Sequence, residues 1–161
     1  MGMKSNGGFF KRTKGNPVAG DASFMNSNDD FLKYIRKRKD VDPGGKFDLI
    51  AHGTANKIEL EHNGKKILVN SRTVAKLIKN MPGYKKGQPI RLLSCNTGTL
   101  NHGFAQDLAN KLNVTVWAPS SYLWAYPNGS HIIAPKDSSG KSPDRTRQGK
   151  FIKFKPGGNM K

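Results

Sequence analysis

The chain has one cysteine, Cys95, in 161 residues. A single thiol excludes an internal disulfide and any multi-cysteine zinc or iron–sulfur site. It fits a reducing compartment, or a thiol with a task of its own. Acidic residues are scarce too: 11 Asp and Glu stand against 28 Lys and Arg. No carboxylate cluster with metal-binding spacing occurs, and no metal site is expected. Long hydrophobic runs are missing. None approaches the roughly 20 residues of a membrane-spanning helix, and the opening "MGMKSNGGFFKRTKGN" lacks the apolar core of a secretion signal. The glycosylation-like triplets at Asn113 and Asn128 therefore read as chance matches.

What the sequence has in excess is positive charge, +17 net. Such a balance attracts phosphates, nucleic acids, anionic surfaces or an acidic protein partner. The length fits one domain with a single real core. Residues 1–26, rich in Gly, Asn and Lys, read as an irregular lead-in, with a short strand around Phe9 and Phe10. Residues 27–156 carry the patterned segments, and 157–161 form a tail.

Within 27–156, strands and helices alternate. "SNDDFLKYIRKRK" reads as a helix capped by Ser27 or Asn28, with Asp29 and Asp30 at its positive end. "KFDLIAHG" reads as a buried strand ending at His52 and Gly53. Asn63-Gly64 sits between two alternating runs and signals a hairpin. Ser71 caps a helix with an apolar stripe of Val74, Ala75, Leu77 and Ile78. "IRLLS" is a second buried strand, with Cys95 at its tip. "HGFAQDLANKL" is a helix, "VTVWAP" a third buried strand, Pro127-Asn128-Gly129 a hairpin turn, and "KFIKFK" a Lys-guarded edge strand. This order predicts an α/β fold, a three-layer α/β/α sandwich around a mainly parallel sheet, with a small hairpin extension.

Two strands end in chemistry-bearing residues, and one helix separates them. If the strands are parallel neighbours about 4.8 Å apart, His52 and Cys95 share one rim of the sheet. An imidazole beside a thiol can take its proton, and the thiolate is the nucleophile. Gly53 has no Cβ, so its N–H can approach a substrate closely and, with the Cys95 N–H, form an oxyanion hole. Asp48, two steps before His52 on the same strand face, is a weaker candidate for orienting the imidazole. His62, His102 and His131 are rival bases, each more simply structural. The helix starting near His102 adds a weak dipole toward the thiol.

Taken together, "DLIAHG" and "LLSCNTG", followed by "GFAQDLANKL", "VTVWAP" and "YLW", resemble the caspase-like cysteine peptidases of clan CD. The likeness is to their CHAT-type and bacterial-toxin branches and covers about residues 46–125. The resemblance implies a caspase-like sheet, a His52/Cys95 dyad with Gly53 in the oxyanion hole, and Ser120, Ser121 and Trp124 lining the pocket for the residue before the cleaved bond. That pocket segment carries no cation, so strict Asp specificity is not expected. Only about 45 residues precede the His strand, fewer than the family usually has, so the far edge of the sheet is expected to be truncated or built differently. The small basic domain also resembles the peptidase-like tips of secreted bacterial toxins. This implies delivery as part of a larger protein into the cytoplasm of a target cell, a protein substrate, and an acidic immunity or inhibitor protein as partner. Some such domains are switched on by inositol hexakisphosphate, for which Arg36–Lys39 with Lys150, Lys153 and Lys155 offer a basic surface. Two rival readings stand beside this one: a nucleic-acid-attacking toxin stacking bases on its aromatic residues, and a catalytically inactive binding module.

Overall fold

The computed structural model describes residues 21–25, 28–42, 45–62 and 64–157. The strand expected at Phe9 and Phe10, a cap at Ser27, and Asn63 lie outside them. The elements in chain order are β1 (Asp21–Ser23), α1 (Asp30–Ile35), β2 (Phe47–Ile50), β3 (Ile58–His62), β4 (Lys65–Val69), α2 (Ser71–Lys79) and β5 (Ile90–Leu93). There follow α3 (Phe104–Leu112), β6 (Val116–Pro119), β7 (Leu123–Ala125), β8 (His131–Ile133), a 3₁₀ turn (Arg145–Arg147) and β9 (Phe151–Phe154). The fold is mixed α/β. Its main sheet has the order β1-β2-β5-β6-β9. The first four strands are parallel, and β9 closes the edge antiparallel to β6. Two hairpins, β3–β4 and β7–β8, stand apart as two-stranded sheets.

All four residues of β2 and all four of β5 are buried, the signature of parallel strands covered on both faces. Successive residues of β2 accordingly join different cores. Phe47 and Leu49 pack with Val74 and Ile78 of α2 and Phe104 and Leu108 of α3. Ile50 packs with Leu32 and Ile35 of α1 and with Leu123 and Ile133 of the β7–β8 hairpin. Each fully buried Leu, Ile or Phe contributes about 1.5–3 kcal/mol.

Four local expectations are corrected. Residues 21–23 of the lead-in form β1, paired in parallel with β2 from Asp21↔Asp48 to Ser23↔Ile50. The N-cap of α1 is Asp29, whose carboxylate accepts the Phe31 amide at 2.8 Å. The N-cap of α2 is Asn70, which accepts from Thr73, so Ser71 is the first helical residue. Helix α1 also stops at Ile35, earlier than its basic run suggested. The chain turns there so that the Arg38 guanidinium can enter the interior, donating to the Ile35 carbonyl at 3.0 Å and to Asp48 at 2.9 and 3.1 Å. A buried guanidinium needs a paired carboxylate, and Asp48 supplies it.

Candidate active site

Strands β2 and β5 run parallel in the register Phe47↔Ile90 through Ile50↔Leu93. The ladder continues one step further, with the Ala51 amide donating to the Leu93 carbonyl at 3.2 Å. His52 and Cys95 each lie two residues beyond the last paired residue of their strand, so continuing the register would bring them opposite each other. Alternation then fixes their side. Asp48, Ile50 and His52 share one face of β2, as Arg91, Leu93 and Cys95 share one face of β5. Contacts agree: Cys95 packs on the cluster of Ile50, Leu93 and Leu123, and so does Phe31, whose ring centroid lies 5.9 Å from that of His52.

The two strand tips touch. A methyl group on Gly53 would come within 2.9 Å of Thr97 Cγ2, 3.0 Å of the Cys95 carbonyl oxygen and 3.2 Å of Ser94 Cβ. Glycine at 53 is therefore what lets the histidine tip lie against the cysteine tip. Beyond it the chain turns back at once, with the Glu59 amide donating to the His52 carbonyl at 2.9 Å. The cysteine tip is pinned as well. Asn96 takes a left-handed conformation (φ 64°), and its N–H donates to the Ser121 carbonyl at 2.9 Å. The Ser94 and Thr97 hydroxyls lie 3.0 Å apart.

The imidazole is held from α1. His52 Nε2 lies 2.7 Å from Asp29 Oδ2, while Asp29 Oδ1 caps the helix. A carboxylate only accepts, so Nε2 carries the proton, and in the neutral ring Nδ1 is the free base. Asp48, the orienting candidate read from the sequence, does not do this. Its two oxygens take Arg38 and Arg91, the latter at 2.9 and 2.8 Å, and the carboxylate is buried between them. Asp48 lies inside the strand beneath α1, within reach of the guanidinium groups, whereas the capping carboxylate sits at the rim.

The Cys95 sulfur meets the main chain of β7. It accepts from the Leu123 N–H at 3.3 Å and donates to the Leu123 carbonyl at 3.7 Å. Burial pushes the thiol up from its ordinary value. The Leu123 amide and the charge of Lys136 pull it the other way.

The other sequence candidates are dispersed. Ser120 knits β6 to β9: its N–H donates to the Lys150 carbonyl at 3.0 Å, and its hydroxyl accepts the Lys150 N–H at 3.1 Å. Ser121 backs the cysteine loop through its carbonyl. Trp124 sits on β7 and donates from Nε1 to the Ala134 carbonyl at 2.9 Å. His131 pairs with Asp40 at 3.0 Å. His102 is exposed in the turn before α3. That helix starts at Phe104, capped by Gly103 without a side-chain bond, which sets its dipole nine residues from the thiol. The side chain of His62 lies outside the described residues. Of the basic run offered to a polyphosphate, Arg38 is interior, and Lys153 lies 5.5 Å over the Trp117 ring. Among the described residues no group of three or more His, Cys, Asp or Glu side chains is placed to hold a metal ion, and no helix is long and apolar enough to cross a membrane.

Sequence reasoning missed Asp29, Leu123 and Lys136. Asp29 was legible as a helix-start residue, but only its second oxygen reaches His52, through tertiary packing. The Leu123 contact is a main-chain one, which residue type does not reveal.

The chain belongs to the family described as a domain of unknown function, DUF8616, matching it over residues 20–133. That span contains Asp29, His52, Gly53 and Cys95. No curated protein and no solved structure matches the chain.

Proposed function

We propose that this protein is a cysteine endopeptidase, a small caspase-like α/β/α sandwich working through His52 and Cys95. One observation carries the reading: β2 and β5 are adjacent and parallel, with His52 and Cys95 each two residues beyond the last paired position and the imidazole anchored by Asp29. In the proposed reaction, His52 Nδ1 takes the thiol proton and the thiolate attacks the peptide carbonyl. The Gly53 and Cys95 amides hold the developing oxyanion, each such donor being worth about 3–4 kcal/mol at the transition state. The imidazolium then protonates the departing amine. Water, activated by the same ring, hydrolyses the thioester and regenerates the thiol. Asp29 keeps the ring in the required tautomer and balances its transient charge. Ser121 and Trp124, on the segment that borders the sulfur, are proposed to shape the pocket before the cleaved bond.

The same proposal places the domain as the delivered, toxic part of a larger secreted bacterial protein. The net charge of +17 favours an acidic inhibitor that docks by electrostatic steering and an anionic activator on the exposed Lys150 and Lys155.

The decisive experiment adds wild-type, Cys95→Ala and His52→Ala protein to a cell lysate and maps new protein N-termini. New termini are expected with wild type and with neither variant, while all three give equal melting curves. Identical termini from wild type and Cys95→Ala would end the peptidase reading.

A further inference from the structure

Cys95 packs against an apolar cluster. α1, β2, β5, β9 and the β7–β8 hairpin contribute Leu32, Ile50, Leu93, Phe151 and Leu123. The charged and titratable groups of these elements are accounted for separately. His52 at the tip of β2 is bound to Asp29 at the start of α1. Asp30 and Lys33 of α1 pair with each other at 3.9 Å on the surface. Asp48 of β2 and Arg91 of β5 bond each other. His131 of β8 is bound to Asp40, and Lys153 of β9 lies over Trp117.

One further cation is brought in by the chain after β8. The Ala134 N–H donates to the Tyr122 carbonyl at 3.0 Å, and the Ala134 carbonyl accepts from Trp124. Two residues on, Lys136 is held by a bridge to Pro143, and its ammonium lies 4.9 Å over the Tyr122 ring. Tyr122 is the middle of three residues that wrap the cysteine tip. Ser121 accepts from Asn96, and Leu123 clasps the sulfur from both its N–H and its carbonyl. Lys136 thus rides on the segment that holds Sγ. Among the described residues its ammonium forms no ion pair.

We propose that Lys136 is the electrostatic partner of the Cys95 thiolate. The inference rests on the reading of Cys95 as a nucleophile and adds what that reading lacks, a fixed positive charge for a residue packed against an apolar cluster. The proton leaves the thiol for His52 Nδ1, giving a thiolate and an imidazolium. Lys136 stays protonated throughout, and no bond to it forms or breaks. It is a positioning residue acting through the field. Lys136 is exposed, so solvent screens its field in part and the effect on the half-buried sulfur is modest and salt-sensitive.

Cys95 is the only thiol in the chain, so alkylation reports on it without background. The test measures the rate of alkylation by iodoacetamide from about pH 5 to 10 for wild type, Lys136→Met, Lys136→Gln and Lys136→Arg. A nearby cation favours the anion, so removing it moves the midpoint to higher pH. The expected shift is about 0.3–0.5 unit, with alkylation near pH 7 slowed about two- to threefold in Met and Gln. The rates converge above both midpoints, and Arg restores the wild-type profile. Salt at about 0.5 M moves the wild-type midpoint toward that of Met and leaves Met in place.

Superimposable profiles for wild type, Met and Gln would overturn the proposal. So would an Arg variant that behaves like Met. Gln keeps the test open if Met does not fold. A shifted profile in a protein that cleaves nothing would leave Lys136 standing and remove the peptidase. Cleavage that depends on Cys95, with unshifted profiles, would do the reverse.

Discussion

Asp29 does two things with two oxygens. One caps a six-residue helix and the other holds the His52 ring. The two functions separate on substitution. Asparagine caps a helix about as well as aspartate, whereas alanine costs roughly 1 kcal/mol. Asp29→Asn is therefore expected to melt within a degree or two of wild type yet cleave roughly ten- to a hundredfold more slowly, since the charge that balances the imidazolium is gone. Asp29→Ala should lose both stability and rate. Calorimetry beside a peptidase assay on the same preparations checks this. Equal rates for Asn and wild type would reduce Asp29 to a cap. The double use also explains why sequence reading stopped half-way: a carboxylate at a helix start is common, and nothing in "SNDDF" announces that it faces a strand tip 23 residues on.

At the level of elements, the apolar runs spoke plainly. "FDLIA" and "IRLLS" became adjacent parallel strands, the stripes of α2 and α3 became the helical faces of one core, and Pro127-Asn128-Gly129 became the β7–β8 turn, with Gly129 at φ 91°. β1 was illegible, because Asp-Ala-Ser has no apolar pattern and is a strand only through pairing with β2. The fate of Asp48 was illegible for a related reason. Its partners Arg38 and Arg91 come from different elements and meet only when α1 docks. Breaking such a pair strands buried cations, so Asp48→Asn should lower unfolding free energy by about 3–5 kcal/mol. Urea titration measures it. A loss below about 1 kcal/mol would mean that water reaches the guanidinium groups.

Across the molecule, this ionic chain continues outward. Arg91 also holds Asp40 at 2.8 Å, and Asp40 holds His131 of the β7–β8 hairpin at 3.0 Å. The hydrogen bond from His131 is the largest influence on Asp40. With the bonds and charge of Arg91 it outweighs partial burial, so the carboxyl lies well below its ordinary value. A depressed carboxyl adds stability that is complete above its unfolded value near pH 4 and is lost as pH falls through the folded one. The hairpin is therefore expected to loosen in acid, below about pH 4. Asp40→Asn should flatten that part of the stability curve, read by circular dichroism from neutral to strongly acidic buffer. Curves of equal steepness would show that Asp40 is not the group being titrated. The overall charge needed no structure to be read, whereas its interior balance did. Two arginines are consumed inside, which turns part of a basic composition into internal fastening.

In the proposed dyad, residues 52 and 95 share a side because each lies an even number of positions beyond its strand's ionic residue, Asp48 in one and Arg91 in the other. That arithmetic is a frame. Inserting a single amino acid between Arg91 and Cys95 would put the sulfur out of phase and turn it toward α2 and α3, while inserting two would restore its side and merely lengthen the reach.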